Sequence, residues 1–151
     1  MFQPVVNLKT KTVIGFEASP RWVDGSLGEI PLDRFIPVAE ENGLIHELFE
    51  RTLKQSCEAA MNWPVGVTLA FDIFPTQLKD RTLNARVLSI LESAGVLAGR
   101  LALEITESAL VHDLEGAQET LGALRNAGVK IVLDNFGTGY SSLYHLRLQA
   151  R

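Results

Sequence analysis

Apolar runs of strand length alternate with amphipathic segments of helix length through most of this chain, and each of the last three runs carries an acid near its C-terminal end. Val65 to Phe74 contains Ala-Phe-Asp-Ile, Arg100 to Glu107 reads Arg-Leu-Ala-Leu-Glu-Ile-Thr-Glu, and Lys130 to Asp134 reads Lys-Ile-Val-Leu-Asp. Side chains alternate across a strand, which groups Ala70 with Asp72, Ala102 with Glu104 and Val132 with Asp134. Three successive strands therefore offer one carboxylate each towards the same end of a sheet. Between them, Val87, Leu88 and Leu91 mark a helix that ends at Gly95, and Leu114, Ala117, Leu121 and Leu124 mark another, from Asp113 to Gly128.

Helices of this length between apolar strands imply right-handed crossovers and a parallel sheet, doubly wound or curving into a barrel. Upstream, Phe2 to Leu8 and Thr12 to Trp22 read as two strands joined at Lys9-Thr10-Lys11, a β-hairpin with Glu17 in its second arm. Pro31 opens a helix through Phe35, Ile36, Val38 and Ala39 that stops at Asn42-Gly43. A longer helix follows, with Ile45, Leu48, Phe49, Leu53, Cys57 and Ala60 at helical spacing, ending at Trp63-Pro64. Carboxylates at strand C-terminal ends suit a β/α barrel, whose active sites lie on that face. A complete barrel takes about eight such strands and roughly 250 residues, where this chain shows about four. The expected class is α/β: a partial TIM-type β/α barrel, about the first half, opened by the hairpin.

The 151 residues are 46% hydrophobic and 21% charged, a composition that buries a core and leaves disorder aside. A formal net charge of -4 gives no electrostatic reason to expect duplex nucleic acid or an anionic membrane as partner. No run approaches the roughly 18 apolar residues of a membrane span, and Met1 leads straight into a strand without a secretory pattern, so a cytoplasmic location is expected. A single cysteine, Cys57, offers no disulfide framework and falls on an apolar helical face, where a packed thiol is expected rather than a ligand. His46, His112 and His145 lack Cys or His partners at metal-ligand spacing and read as surface or capping residues.

The last apolar run delivers Asp134 into a glycine-punctuated loop, Asp134-Asn-Phe-Gly-Thr-Gly-Tyr-Ser-Ser142. Ile131, Val132 and Leu133 suit a strand covered on both faces, Gly137 and Gly139 permit sharp bends around a ligand, and Ser141-Ser142 can cap a following helix. Clustered carboxylates repel unless a cation or proton sits among them, which points to a divalent metal held by oxygen, Mg²⁺ or Mn²⁺ before zinc. Two plainer readings stand beside it. Asp-Asn-Phe-Gly also describes an ordinary turn, and acids at strand ends also cap helices. Glu107 reads as a helix N-terminal charge, and Trp22 and Trp63 as packing groups.

At these residues the chain resembles the EAL domains of bacterial cyclic di-GMP signalling. Phe2-Gln-Pro-Val-Val-Asn-Leu-Lys is similar to the family's opening strand, and Gly15-Phe-Glu-Ala-Ser-Pro-Arg-Trp22 to its signature strand. Phe35-Ile-Pro-Val-Ala-Glu-Glu-Asn-Gly-Leu-Ile45, Leu101-Ala-Leu-Glu-Ile-Thr-Glu-Ser108 and Asp134 to Ser142 match three further motifs. The resemblance covers essentially the whole chain and the first three-fifths or so of the usual domain, so residues 1–151 are expected to form a single truncated EAL domain. It implies a modified β/α barrel and metal-dependent hydrolysis of the cyclic di-GMP phosphodiester to the linear dinucleotide.

Carried onto this chain, the resemblance implies metal ligation by Glu17, Glu104 and Asp134, which would be the catalytic carboxylates. Asp72 stands in the place of an asparagine ligand, and Asn135 in the place of a second acid. Arg21 falls where the family contacts a ligand phosphate, with Ser19 and Gln3 as further ligand-contacting positions. Ser19 and Pro20 replace apolar residues of the signature, and the family's later strands, with their lysine and further acids, lie beyond this chain. These departures make little or no turnover the expectation for the isolated chain. They leave open a non-catalytic cyclic di-GMP receptor or protein-interaction module. An open half barrel also exposes sheet edges, so a homo-oligomer is expected, paired near Phe2 to Trp22 or Lys130 to Asp134.

Overall fold

The computed structural model describes residues 1–106 and 114–134, the side chains at 114–116 and 134 excepted. Strands β1 (Phe2–Val6) and β2 (Val13–Ala18) form the antiparallel hairpin. Its turn is held by the Asn7 side chain, whose Oδ1 accepts the Lys9 and Thr10 amides at 2.9 and 3.2 Å. Strands β5 (Thr68–Asp72), β6 (Leu101–Thr106) and β7 (Lys130–Asp134) then add in parallel, giving a five-stranded sheet of order β1-β2-β5-β6-β7.

The connections are the expected helices with additions. Between β2 and β5 come a second, small hairpin, β3 (Trp22–Asp24) and β4 (Gly28–Ile30), and helices α1 (Leu32–Glu41) and α2 (Ile45–Ala60). A short helix α3 (Pro75–Leu78) and helix α4 (Leu83–Ala94) link β5 to β6, and α5 (Leu114–Asn126) precedes β7. The sequence reading ran β2 on to Trp22; the strand instead stops at Ala18. Pro20 lacks the N–H that a strand between two neighbours needs, so the chain leaves the sheet and pairs again locally as β3.

One face of the sheet makes the main core. Leu69, Phe71, Leu101, Leu103 and Ile105 bury against Leu53 and Cys57 of α2, Val87 and Leu91 of α4, and Ala117 and Leu124 of α5. The Arg100 guanidinium fastens the N-terminal end of this layer by donating to the carbonyls of Ala60, at 2.8 Å, and Val67, at 3.3 Å. A smaller core of Phe35, Ile36, Ala39 and Ile45 underlies the β3-β4 hairpin, where Trp22 meets Phe35 edge-on with ring centroids 5.9 Å apart. Trp63 packs against Phe2 and Phe16 at 5.3 and 4.8 Å, so its ring is a packing group.

Strand β7 departs from the expectation of cover on both faces. It lies at the edge of the sheet among the described residues, and Val132 is 39% exposed. Gly137, Gly139, Ser141, Ser142, Glu107, His112, Asp113 and His145 lie outside the described residues. Among those described, no helix is long and apolar enough to cross a membrane.

Candidate functional site

The face of the sheet opposite the main core carries the acids. In the parallel register Glu17 sits beside Ala70, Ala70 beside Ala102, Asp72 beside Glu104, Glu104 beside Val132, and Thr106 beside Asp134. Neighbours in register share a face. Positions 17, 72, 104 and 134 therefore fall on one face in a diagonal that climbs towards the strands' C-terminal ends. Gln3 pairs with Glu17 and joins the same face from β1. Small residues, Gly15, Ala70 and Ala102, occupy the lower positions beneath the acids, with Thr68 and Lys130 beside them in register.

Gly15 is there for a steric reason. A Cβ at this position would lie 2.6 Å from Thr68 Oγ1 and 2.8 Å from the Thr68 carbonyl oxygen, so only glycine lets β2 approach β5 at this register. That approach sets Glu17, two residues on, beside Ala70.

The loop beyond Asp72 is pinned from several sides. Ile73 donates its amide to the Glu104 carbonyl at 2.8 Å, joining the ends of β5 and β6. Gln77, fully buried, accepts the Phe74 amide on Oε1 at 3.1 Å, and its Nε2 is the buried side-chain donor without a partner among the described residues. Thr76 donates to Glu40 at 2.8 Å, tying α3 to α1. None of these braces was foreseen, because α3 is too short to leave a periodic signal. Glu17, Asp72 and Glu104 are each half-buried.

Arg21 follows β2 at the same end of the sheet. Its Nη2 donates to Glu29 Oε2 of β4 at 2.7 Å, with both side chains 52% exposed. The hydrogen bond raises the Arg21 pKa further and holds the Glu29 carboxyl below the usual carboxylate range. Ser19 is half-buried, and its amide donates to the Met1 carbonyl at 3.1 Å while the Met1 ammonium donates to the Ser19 carbonyl at 2.8 Å. Glu29 was missed because the hairpin that carries it was not recognised.

His46 stands apart on α2, its Nδ1 3.5 Å from an Asp80 carboxylate oxygen that also takes Arg86. Burial pushes the Asp80 pKa up, but hydrogen bonds from Thr82 and the charges of Arg86 and His46 outweigh it, leaving the carboxyl below its usual range. Cys57 is buried in the main core. Neither joins the acidic face.

The acids on that face, Glu17, Asp72 and Glu104, offer carboxylate oxygens, the hard donors that Mg²⁺ or Mn²⁺ prefers. Among the described residues no group of three or more His, Cys, Asp and Glu side chains is placed to hold a metal ion. The Asp134 side chain and Asn135 lie outside the described residues.

Comparison with known proteins fits this layout. An uncharacterized protein, y4lL, of Sinorhizobium fredii is 43% identical over 97% of this chain and 18% of its own length. The cyclic di-GMP phosphodiesterase NbdA of Pseudomonas aeruginosa is 35% identical over 97% of this chain and 19% of its own. The chain thus spans about a fifth of these curated relatives. The solved structure of the phosphodiesterase PaMucR in complex with c-di-GMP superposes with a TM-score of 0.89 at 32% identity, over 97% of this chain and 61% of that one. The EAL domain model matches residues 1–148, which takes in β2 with Glu17, β5 with Asp72, β6 with Glu104 and β7 with Asp134 alike. By that match, and by the sheet that sets those four positions on one face, the chain belongs to the EAL domain family.

Proposed function

We propose that residues 1–151 are the N-terminal portion of an EAL domain that binds cyclic di-GMP and contributes the metal-ligating acids of a phosphodiesterase centre. The observation that carries this reading is the register: Glu17, Asp72, Glu104 and Asp134 fall on one face of adjacent strands, climbing towards their C-terminal ends. Glu17, Glu104 and Asp134 hold the divalent ion, with Asp72 and Asn135 beside them. A bound Mg²⁺ or Mn²⁺ supplies Lewis acidity towards a phosphoryl oxygen and lowers the pKa of its water. Arg21 receives a phosphate of the ligand through its guanidinium fork. Ser19 and Gln3 flank the nucleotide.

In this reading the isolated chain turns over little or no substrate, since catalytic constellations of this kind fail as units. It acts in the cytoplasm in signal transduction, without duplex nucleic acid or membrane contact, and it associates through its sheet edges. The test is calorimetric titration of cyclic di-GMP with Mg²⁺ present, followed by assay of the recovered nucleotide for linear product. Binding without cleavage is the expected result. Binding that survives removal of the metal, with no cleavage in any assembly, would replace the enzyme reading with a receptor. No binding would overturn both.

A further inference from the structure

We propose that Glu29 is the resident anion on Arg21: it occupies one arm of the guanidinium intended for a ligand phosphate, and so sets how tightly and how salt-dependently the chain takes a phosphodiester. The inference rests on the proposed phosphate-binding role of Arg21. Three observations bring the pair together. Arg21 lies three residues beyond the end of β2, at the same end of the sheet as Asp72. Glu29 is carried back to it by the β3-β4 hairpin, whose turn is fixed by Asp24 Oδ1 accepting the Ser26 and Leu27 amides at 2.8 and 2.9 Å. The hairpin is in turn fastened to α1 by the edge-on contact of Trp22 with Phe35.

The pairing uses one nitrogen and one oxygen, Nη2 and Oε2 at 2.7 Å, although a guanidinium and a carboxylate can pair through two parallel bonds. Glu29 therefore holds the fork without filling it. A carboxylate oxygen and a phosphodiester oxygen are the same kind of acceptor, so a ligand phosphate meets a guanidinium whose charge is already shared with an anion. Glu29 is a specificity-determining neighbour here, acting only through Arg21. Because both side chains are half exposed, the pair contributes little to folding, and Glu29 can be changed without unfolding the chain.

The test is a double-mutant cycle read as the dissociation constant for cyclic di-GMP. Ca²⁺ replaces Mg²⁺, since it takes the same oxygen ligands in a looser geometry. Glu29→Gln is expected to tighten binding about two- to fivefold at low ionic strength, the range of an exposed charge pair. The gain should shrink as salt rises through about 0.5 M. Arg21→Ala is expected to weaken binding about tenfold or more, the scale of a hydrogen bond to a charged group. In the Arg21→Ala background Glu29→Gln should change nothing. If Arg21→Ala weakens binding while Glu29→Gln leaves it equal or weaker, the inference fails and the role of Arg21 stands. If Arg21→Ala has no effect, or no variant binds, the reading of Arg21 fails and the inference with it.

Discussion

Three half-buried carboxylates, Glu17, Asp72 and Glu104, share one face of the sheet, and the Asp72 and Glu104 positions are neighbours in register. Like charges directly opposite one another destabilise a sheet, and a divalent cation relieves that cost. Mg²⁺ or Mn²⁺ is therefore expected to raise the melting temperature of the wild-type chain, by mass action on the folded state alone. Glu104→Gln should abolish the shift; an undiminished shift, followed by differential scanning fluorimetry, would exclude Glu104 from the site. Cys57 gives a prediction of a different kind. Burial, aided by the charge of Glu58, pushes its thiol up to about 11, against about 8.5 for a free cysteine. The folded state therefore keeps the proton where the unfolded chain loses it. That contribution to stability is complete below pH about 8.5 and is lost as pH rises towards about 11. Cys57→Ala should flatten the alkaline limb of a stability-pH profile measured by urea unfolding. The acids and the buried thiol were legible in the sequence, because strand alternation and helical spacing alone place them. Glu29 was not, because the residues between it and Arg21 carry no long apolar period.

Among the elements, β2 shows most clearly how backbone geometry reaches the site. Gly15→Ala would press a methyl group against the Thr68 backbone oxygen, where a side chain cannot simply rotate away. Overpacking of this kind costs about 1–3 kcal/mol, and moving β2 off β5 would displace Glu17 as well. The variant should therefore lose both melting temperature and divalent-ion response. At Gly95 the two effects separate. It caps α4 at φ +69°, where an added Cβ meets Met61 only at an ordinary 3.6 Å. Gly95→Ala should cost about 1–2 kcal/mol through the backbone alone, or roughly 2–8 °C in a chain of this length, with the ion response intact. The element order was largely legible, since Asn42-Gly43, Gly95 and Gly128 punctuate the periodic segments. The sequence misled at Ser19-Pro20, where an apolar pattern continuing to Trp22 hid the exit from the sheet. It was silent at α3, whose single turn is set by the Phe74 to Gln77 hydrogen bond rather than by any pattern.

Among the described residues, the sheet ends at β1, every residue of which is exposed. Phe2, Val5 and Val6 are 41%, 37% and 41% exposed, and Val13 and Ile14 of β2 are 45% and 42%. An apolar strand with a free row of backbone donors and acceptors is a template for pairing with another chain, and natural edges are protected by charge, proline or cover. Pro4 removes one donor from β1, but its remaining amides and its valines lack a charge among them. The expected outcome is a dimer or higher oligomer joined edge to edge, and sedimentation velocity at about 50 µM should show it, a concentration that populates interfaces of ordinary size and micromolar affinity. Val5→Lys places a charge on the exposed edge at modest cost to the fold, because the side chain it replaces is already over a third in water. It should return the chain to a monomer with an unchanged far-ultraviolet spectrum. A wild-type chain that sediments as a single monomeric species would mean that the β1 edge is covered within the chain itself. A Val5→Lys variant that remains dimeric would move the interface to β7, the other edge of the described sheet.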